Sequence, residues 1–279
     1  MHGPIDRGGT EDSVADEDWT AEINTNVAHP ARIYDYFLGG KDNFPADRET
    51  AELALAATPM VRAMARENRA FLQRAVRFLA GEAGIRQFLD IGTGLPTQGN
   101  VHEIAQRIAP DARVVYVDND PIVLAHSRAL LDGDNTTVIQ ADLRDPSTIL
   151  GHPGLHKVID LDQPVALLLV AILHFIQDDS DPAGIVTQLR DAMTAGSYLT
   201  VSHGTVDVDD AATAVADRVL RAYQRSTAPV TLRSRQQIER YFDGFELVAP
   251  GLVQVQDWRP DRSNPDVSGG IYGGVGRKL

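Results

Sequence analysis

Three acids and a glycine turn carry the chemistry most legible in this chain. In Phe88-Leu89-Asp90-Ile91-Gly92-Thr93-Gly94, a short apolar strand runs into Gly-x-Gly and then into a helix. Such a turn lets a ligand approach the backbone, and a helix N-terminus favours negative charge. Asp118 ends the next strand, after Val114-Val115-Tyr116-Val117. A carboxylate there can accept hydrogen bonds from both hydroxyls of a ribose. Asp90 lies two residues before Gly92, where a dinucleotide fold usually has an apolar residue, and it can pair with an amino group. Asp142 follows the third strand in Ala141-Asp142-Leu143, within reach of an exocyclic amine. Thr97 stands where the Gly-x-Gly-x-x-Gly pattern needs its third glycine. Together these favour a sulfonium ligand over a pyrophosphate.

The elements that position these residues alternate. Strands are expected at 88–91, 113–117, 136–140, 164–173 and 197–202. Helices are expected at about 97–108, from Asp120-Pro121 to Gly133, and from Asp181-Pro182 to about Thr194. Strands joined by crossover helices form a mostly parallel sheet with helices on both faces. A further helix is expected over 207–226 and another from Ser234 to Phe242. Two closing strands are expected, 245–248 or on to Val255, and 271–277; the stretch between them, Arg259–Gly270, is too short for a helical crossover, so they are expected to be antiparallel. Before the sheet, residues 24–80 read as helical, broken at Gly39-Gly40, with an amphipathic period from Pro59 interrupted by the polar Asn68.

Composition narrows the function classes. The chain has 279 residues, no Cys, and a formal net charge of −13. Thiolate chemistry, disulfides and cysteine-bound zinc are excluded. The acidic balance argues against a nucleic-acid partner. The longest apolar run, Val165–Leu173, is nine residues, too short to span a bilayer. No secretory leader is evident, so a cytoplasmic location without a membrane partner is expected. Residues 1–18 carry six acids against Arg7, and 1–23 is expected to be a disordered acidic tail. No metal-ligand spacing occurs, and no Gly-x-Ser-x-Gly elbow.

The sequence resembles the class I S-adenosylmethionine-dependent methyltransferases, and most closely an uncharacterised S-adenosyl methyltransferase family. The resemblance rests on Ala31–Asn43, Phe88–Thr97, Val115–Pro121, Ala141–Pro146 and Gly196–His203, and spans about 27–279. It implies a Rossmann-like α/β fold with a seven-stranded, mostly parallel sheet, an antiparallel last strand and a helical N-terminal cap. It divides the chain into the tail (1–23), a helical cap or lid (24–80) and an S-adenosylmethionine-binding domain (81–279). Matched by position, Gly92, Thr93 and Gly94 line the methionine part of the cofactor and Asp90 faces its amino end. Asp118 holds the ribose, Asn119 flanks the adenine, and Asp142 with Leu143 meets its edge and face. Pro96 replaces a third glycine common in such enzymes.

The acceptor is expected to be a small molecule methylated at oxygen or nitrogen. His174 follows the fourth strand at the edge where ligands sit and is either a base or a packing and cofactor-support residue. His203 ends the fifth strand at a similar edge. Arg32, Tyr34, Tyr36, Gly39 and Gly40 are expected in the lid over the acceptor. Two other readings stand beside this one: a non-catalytic protein that binds S-adenosylmethionine or S-adenosylhomocysteine, and an NAD-dependent oxidoreductase. The residues do not fix an oligomeric state.

Overall fold

The computed structural model describes residues 24–96, 99–130, 134–207, 210–261 and 269–279. The expected tail at 1–23, Thr97 and Gly133 lie outside the described residues.

The centre is set by strands with apolar side chains on both faces. β1 (Gln87–Ile91), β2 (Arg113–Asp118), β3 (Thr136–Gln140), β4 (Ala166–Val170) and β5 (Tyr198–Gly204) are parallel. β8 (Ile271–Lys278) lies antiparallel between β5 and β6 (Phe245–Leu247), giving the path β3-β2-β1-β4-β5-β8-β6. The expected seven strands are this path, with the antiparallel closing strand in place. An eighth strand, the two-residue β7 (Val253–Gln254), pairs with the start of β8.

Side-chain parity sorts the sheet into two cores. Leu89, Val115, Leu167, Leu199 and Val201 point to one face and pack with α6 (Pro146–Gly151), α7 (Pro153–Val158), α8 (Pro182–Asp191) and α10 (Arg235–Glu239). Phe88, Val114, Tyr116, Leu168 and Tyr198 point to the other face. There they meet α3 (Met60–Gly81), α4 (Val101–Ile108), Leu124 of α5 (Pro121–Leu130) and the fully buried Trp258. The short helices α6 and α7 fill a connection that the sequence reading leaves unassigned. The fourth strand stops at Val170 because Ala171 turns to φ 56°.

A third cluster stands over the strand ends. Ile33 and Phe37 of α1 (Pro30–Leu38), Ala51 and Ala54 of α2 (Pro45–Ala57), and Ala65 of α3 pack with Ala222 and Tyr223 of α9 (Asp210–Tyr223). The cap is thus built from both halves of the chain. Thr227 N–H donates to Ala28 O at 2.9 Å, tying the segment after α9 to the one before α1. The expected helical stretch 24–80 is divided in role: α1 and α2 roof the strand ends, while α3 packs along the sheet.

Charge fastens the roof. Asp47, fully buried, accepts the backbone N–H groups of His29 and Phe44, each at 2.8 Å. Arg32 Nε lies 3.7 Å from Asp47 Oδ1 and 3.3 Å from Asp120 Oδ2, and His29 Nδ1 lies 3.1 Å from that same Asp120 oxygen. Removing one partner of a buried ion pair strands the other, at a cost of about 3–5 kcal/mol. Asp47→Ala should therefore lower stability by an amount on that scale in urea unfolding. A loss under about 1 kcal/mol, the range of a surface pair, would show that the roof is held elsewhere.

Candidate functional site

The C-terminal ends of the parallel strands converge on a cavity of about 700 Å³, within the span of small-ligand sites. Its first wall is the glycine turn after β1. Gly92 adopts φ 74° and donates to Val117 O at 2.8 Å; a Cβ here would lie 2.5 Å from Ile172. Gly94 adopts φ 65°, but a Cβ would meet nothing within 4 Å, so the turn is open toward the cavity. Thr93 turns its hydroxyl back onto Asp90 O at 3.0 Å.

Asp118 organises the turn. One carboxylate oxygen accepts Gly94 N–H at 2.9 Å and the other accepts Asp120 N–H at 3.0 Å. Burial raises its pKa, and these two N–H groups oppose the rise. Asp90 is buried on the α3 side of the sheet, and its carboxylate makes no hydrogen bond or ion pair among the described residues. Burial lifts its pKa to about 7, with nearby Arg69 pulling down and Asp118 pushing up.

Asp142 sits beyond β3 and is fully engaged. Arg144 grips it with Nε at 2.9 Å and a second nitrogen at 2.5 Å, its own N–H adds 2.9 Å, and Asn119 donates at 3.1 Å. The Arg144 side chain is the chief reason its pKa falls to about 2. Leu143 is buried beside it and also lines the cavity.

The roof and back wall complete the space. Arg32 and Tyr34 line it from α1 and His174 from the turn after β4, with Phe175, Val219, Tyr223 and Leu232 beyond. Tyr34 Oη donates to Ala65 O at 2.9 Å and accepts from Asn68 Nδ2 at 3.0 Å. Asn68 Oδ1 accepts the Ser202 hydroxyl at 2.6 Å, which in turn accepts Ala171 N–H. The polar interruption in the α3 stripe is therefore the link that joins α1, α3 and the strand ends.

Asp90, Gly92, Thr93, Gly94, Asp118, Asn119, Asp142, Leu143, Arg32, Tyr34 and His174 are thus brought together on one cavity. Four expected residues are not. Tyr36 faces outward, with its hydroxyl on Glu52 and Arg62 over its ring at 5.5 Å. Gly39 and Gly40 form the C-terminal cap of α1, where Gly39 takes φ 83° and Gly40 N–H returns to Asp35 O at 2.9 Å. They terminate a helix and do not touch the cavity. His203 shares strand parity with Leu199 and Val201, so its ring enters the opposite core beside Tyr241. There Nδ1–H donates to Gly204 O at 2.6 Å and Nε2 accepts from Arg233 at 2.9 Å.

The sequence reading misses Arg69. Its terminal nitrogen donates to Gly99 O and Asn100 Oδ1, while its Nε is buried in the cavity wall with no hydrogen-bond partner among the described residues. Nothing in the sequence around it separates this arginine from the solvated ones on α3. It also misses the second role of Asp120. That residue caps α5 through Ile122 N–H at 2.9 Å, as expected, and also anchors the roof.

The model of the S-adenosyl methyltransferase family matches residues 16–279. A DUF574 family protein from Streptomyces avermitilis MA-4680 is 47% identical, with a TM-score of 0.88, over 92% of this chain and 100% of that one. A candidate methyltransferase from Thermobifida fusca YX is 44% identical, with a TM-score of 0.86, over 94% of this chain and 99% of that one. No curated protein matches the chain. Among the described residues, no helix is long and apolar enough to cross a membrane.

Asp90 makes the ligand-free protein sensitive to pH. Folded, it holds its proton up to about pH 7, whereas an unfolded aspartate loses it near pH 4. The folded state binds more protons between those values, so this residue's contribution to stability falls as pH rises through them. Asp90→Asn should flatten that fall, making the variant more stable than the parent at about pH 8 and less distinct from it near pH 4. Urea unfolding at the two pH values checks this; parallel pH profiles would show that Asp90 ionises freely.

Proposed function

The chain belongs to the S-adenosyl methyltransferase family and is an S-adenosylmethionine-dependent methyltransferase, and we propose that it methylates an oxygen or nitrogen of a small molecule held beside His174. The observation that carries the placement is a pair of unsatisfied charges beside the open Gly94 turn. Among the described residues, the Asp90 carboxylate makes no hydrogen bond or ion pair and the buried Nε of Arg69 makes no hydrogen bond. The two groups feel each other electrostatically but do not form an ion pair. An amino acid's ammonium and carboxylate complete both, so the methionyl end of the cofactor fits this gap.

The remaining residues suit the other end. A carboxylate offers about four acceptor sites, and Asp118 uses two on backbone N–H groups, leaving two for ribose hydroxyls. Asp142 already accepts four hydrogen bonds, so an adenine amine takes the place of a contact from Asn119 or Arg144. Leu143 offers an apolar surface for the ring, and Arg32 and Tyr34 close the roof above.

When bound, S-adenosylmethionine supplies a methyl carbon already activated by its sulfonium. The protein then has to align the acceptor and exclude water, with reacting atoms about 3–3.5 Å apart before attack. The roof held by Arg32, His29 and Asp120 serves the second need, and the turn at 172–175 the first.

Asp118→Ala removes the ribose acceptors and loosens the turn. Each charge-assisted hydrogen bond is worth about 1.5–3 kcal/mol, so calorimetry should show S-adenosylmethionine affinity reduced more than about tenfold. With labelled cofactor and cell extract, the parent should transfer label to a small molecule and the variant should not. Unchanged affinity in Asp118→Ala would remove it from the cofactor site, and binding without any label transfer would count against the acceptor assignment.

A further inference from the structure

The cavity continues past the cofactor turn. Ile172 abuts Gly92, and three residues later Phe175 stacks toward Tyr223 of α9 with ring centroids 6.0 Å apart. His174 therefore stands at the passage between the cofactor turn and an apolar chamber lined by Met60, Met64, Phe175, Val219, Tyr223 and Leu232. No carboxylate or lysine lines that chamber among the described residues; of the two tyrosine hydroxyls on it, Tyr34 is already paired on both sides and Tyr223 is buried close to it.

The His174 ring is held in one state by its surroundings. Gly204 N–H donates to His174 Nδ1 at 3.5 Å, and Gly204 O takes the proton of His203 Nδ1 at 2.6 Å. The two backbone groups of one residue thereby set both imidazoles. A neutral ring that accepts at Nδ1 carries its proton on Nε2 and has no lone pair to offer there. Arg233 adds a fixed positive charge. It donates to Leu173 O, Ile176 O, His203 Nε2 and Asp178, so it also clamps the turn that carries His174. The groups bearing on His174 are His203 from β5 and Arg233 from the segment before α10, and both oppose proton uptake, as does burial. Among the described residues no carboxylate orients the ring, the usual support of a histidine base.

Building on the methyltransferase reading, we propose that His174 is a neutral N–H donor that positions the acceptor, and that the acceptor is an uncharged, largely apolar molecule whose reacting atom brings a free lone pair. A neutral nitrogen meets that requirement, whereas an ionised hydroxyl would bring a charge into a chamber with no partner for it. The acceptor's lone pair forms the bond to the methyl carbon while the carbon–sulfur bond breaks and its electron pair stays on sulfur. The nitrogen afterwards loses any proton to water.

The test uses the full chain saturated with S-adenosylhomocysteine, so that failure of this product to bind reports on the methyltransferase site and not on His174. Nitrogen-15 spectra of labelled histidine, with His174 assigned by its absence in His174→Gln, should show protonated Nε2 and bare Nδ1 unchanged from about pH 5.5 to 8.5. A proton on Nδ1, or titration in that range, would overturn the donor role. In the same complex, 2-naphthol should bind at least about tenfold more tightly than 2-naphthalenesulfonate, since the chamber has no partner for a buried charge. Equal affinities, or no binding of the naphthol, would overturn the acceptor class.

Discussion

The carboxylate of Asp118 is the constraint from which the site is built. Its two oxygens draw together the turn after β1 and the start of α5, which also meet through Leu95 packed against Ile122 and Val123. Two residues on, Asp120 extends the arrangement upward, accepting Ile122 N–H at the helix start and facing Arg32 and His29 of the roof. Asp47, in the first turn of α2, closes the set. Burying acids is costly unless each meets a donor. Here the cost is offset pairwise by backbone N–H groups and one arginine, so the cofactor turn and the roof form one electrostatic unit.

A second buried cation does the same work on the opposite face of the sheet. Arg233 holds the carbonyls of Leu173 and Ile176 and the ring of His203. It lies far along the chain from the glycine turn, yet it sets the geometry of the turn that borders Gly92. On the proposed placement, the acceptor side depends on late segments, α9 and the run to Arg233, while the cofactor side depends on the ends of β1, β2 and β3. That division lets the chamber vary without altering the cofactor turn, a common arrangement where function sits on loops over a rigid sheet.

Much of the fold was legible because its strands are buried on both faces and so appear as unbroken apolar runs. The short helices α6 and α7 escaped because six-residue helices leave too little periodicity. The acids that line the cavity were legible from position: Asp90, Asp118 and Asp142 each lie at or just past the end of a strand. His203 has the same apparent position, but parity along β5 sends it to the far core with Val201, whereas Ser202 faces Asn68. Tyr36, Gly39 and Gly40 drew attention as a polar, glycine-containing cluster, which is also what a helix C-cap requires. Arg69 had no local signature, since its distinction is an unpaired Nε created by tertiary packing.

Charge also bears on turnover. Asp90 and Asp118 place negative potential beside the glycine turn, with Arg69 facing them. A ligand with an ammonium, a carboxylate and a sulfonium carries a net positive charge, which ionised carboxylates favour. Methyl transfer removes the sulfonium charge, so the same carboxylates hold the product less firmly. The burial that lifts Asp90 to about 7 strengthens this preference, because a desolvated carboxylate gains more from a cation than a solvated one does. On the proposed placement, the acidic interior thus does more than bind: it favours the reactive ligand over what remains after transfer.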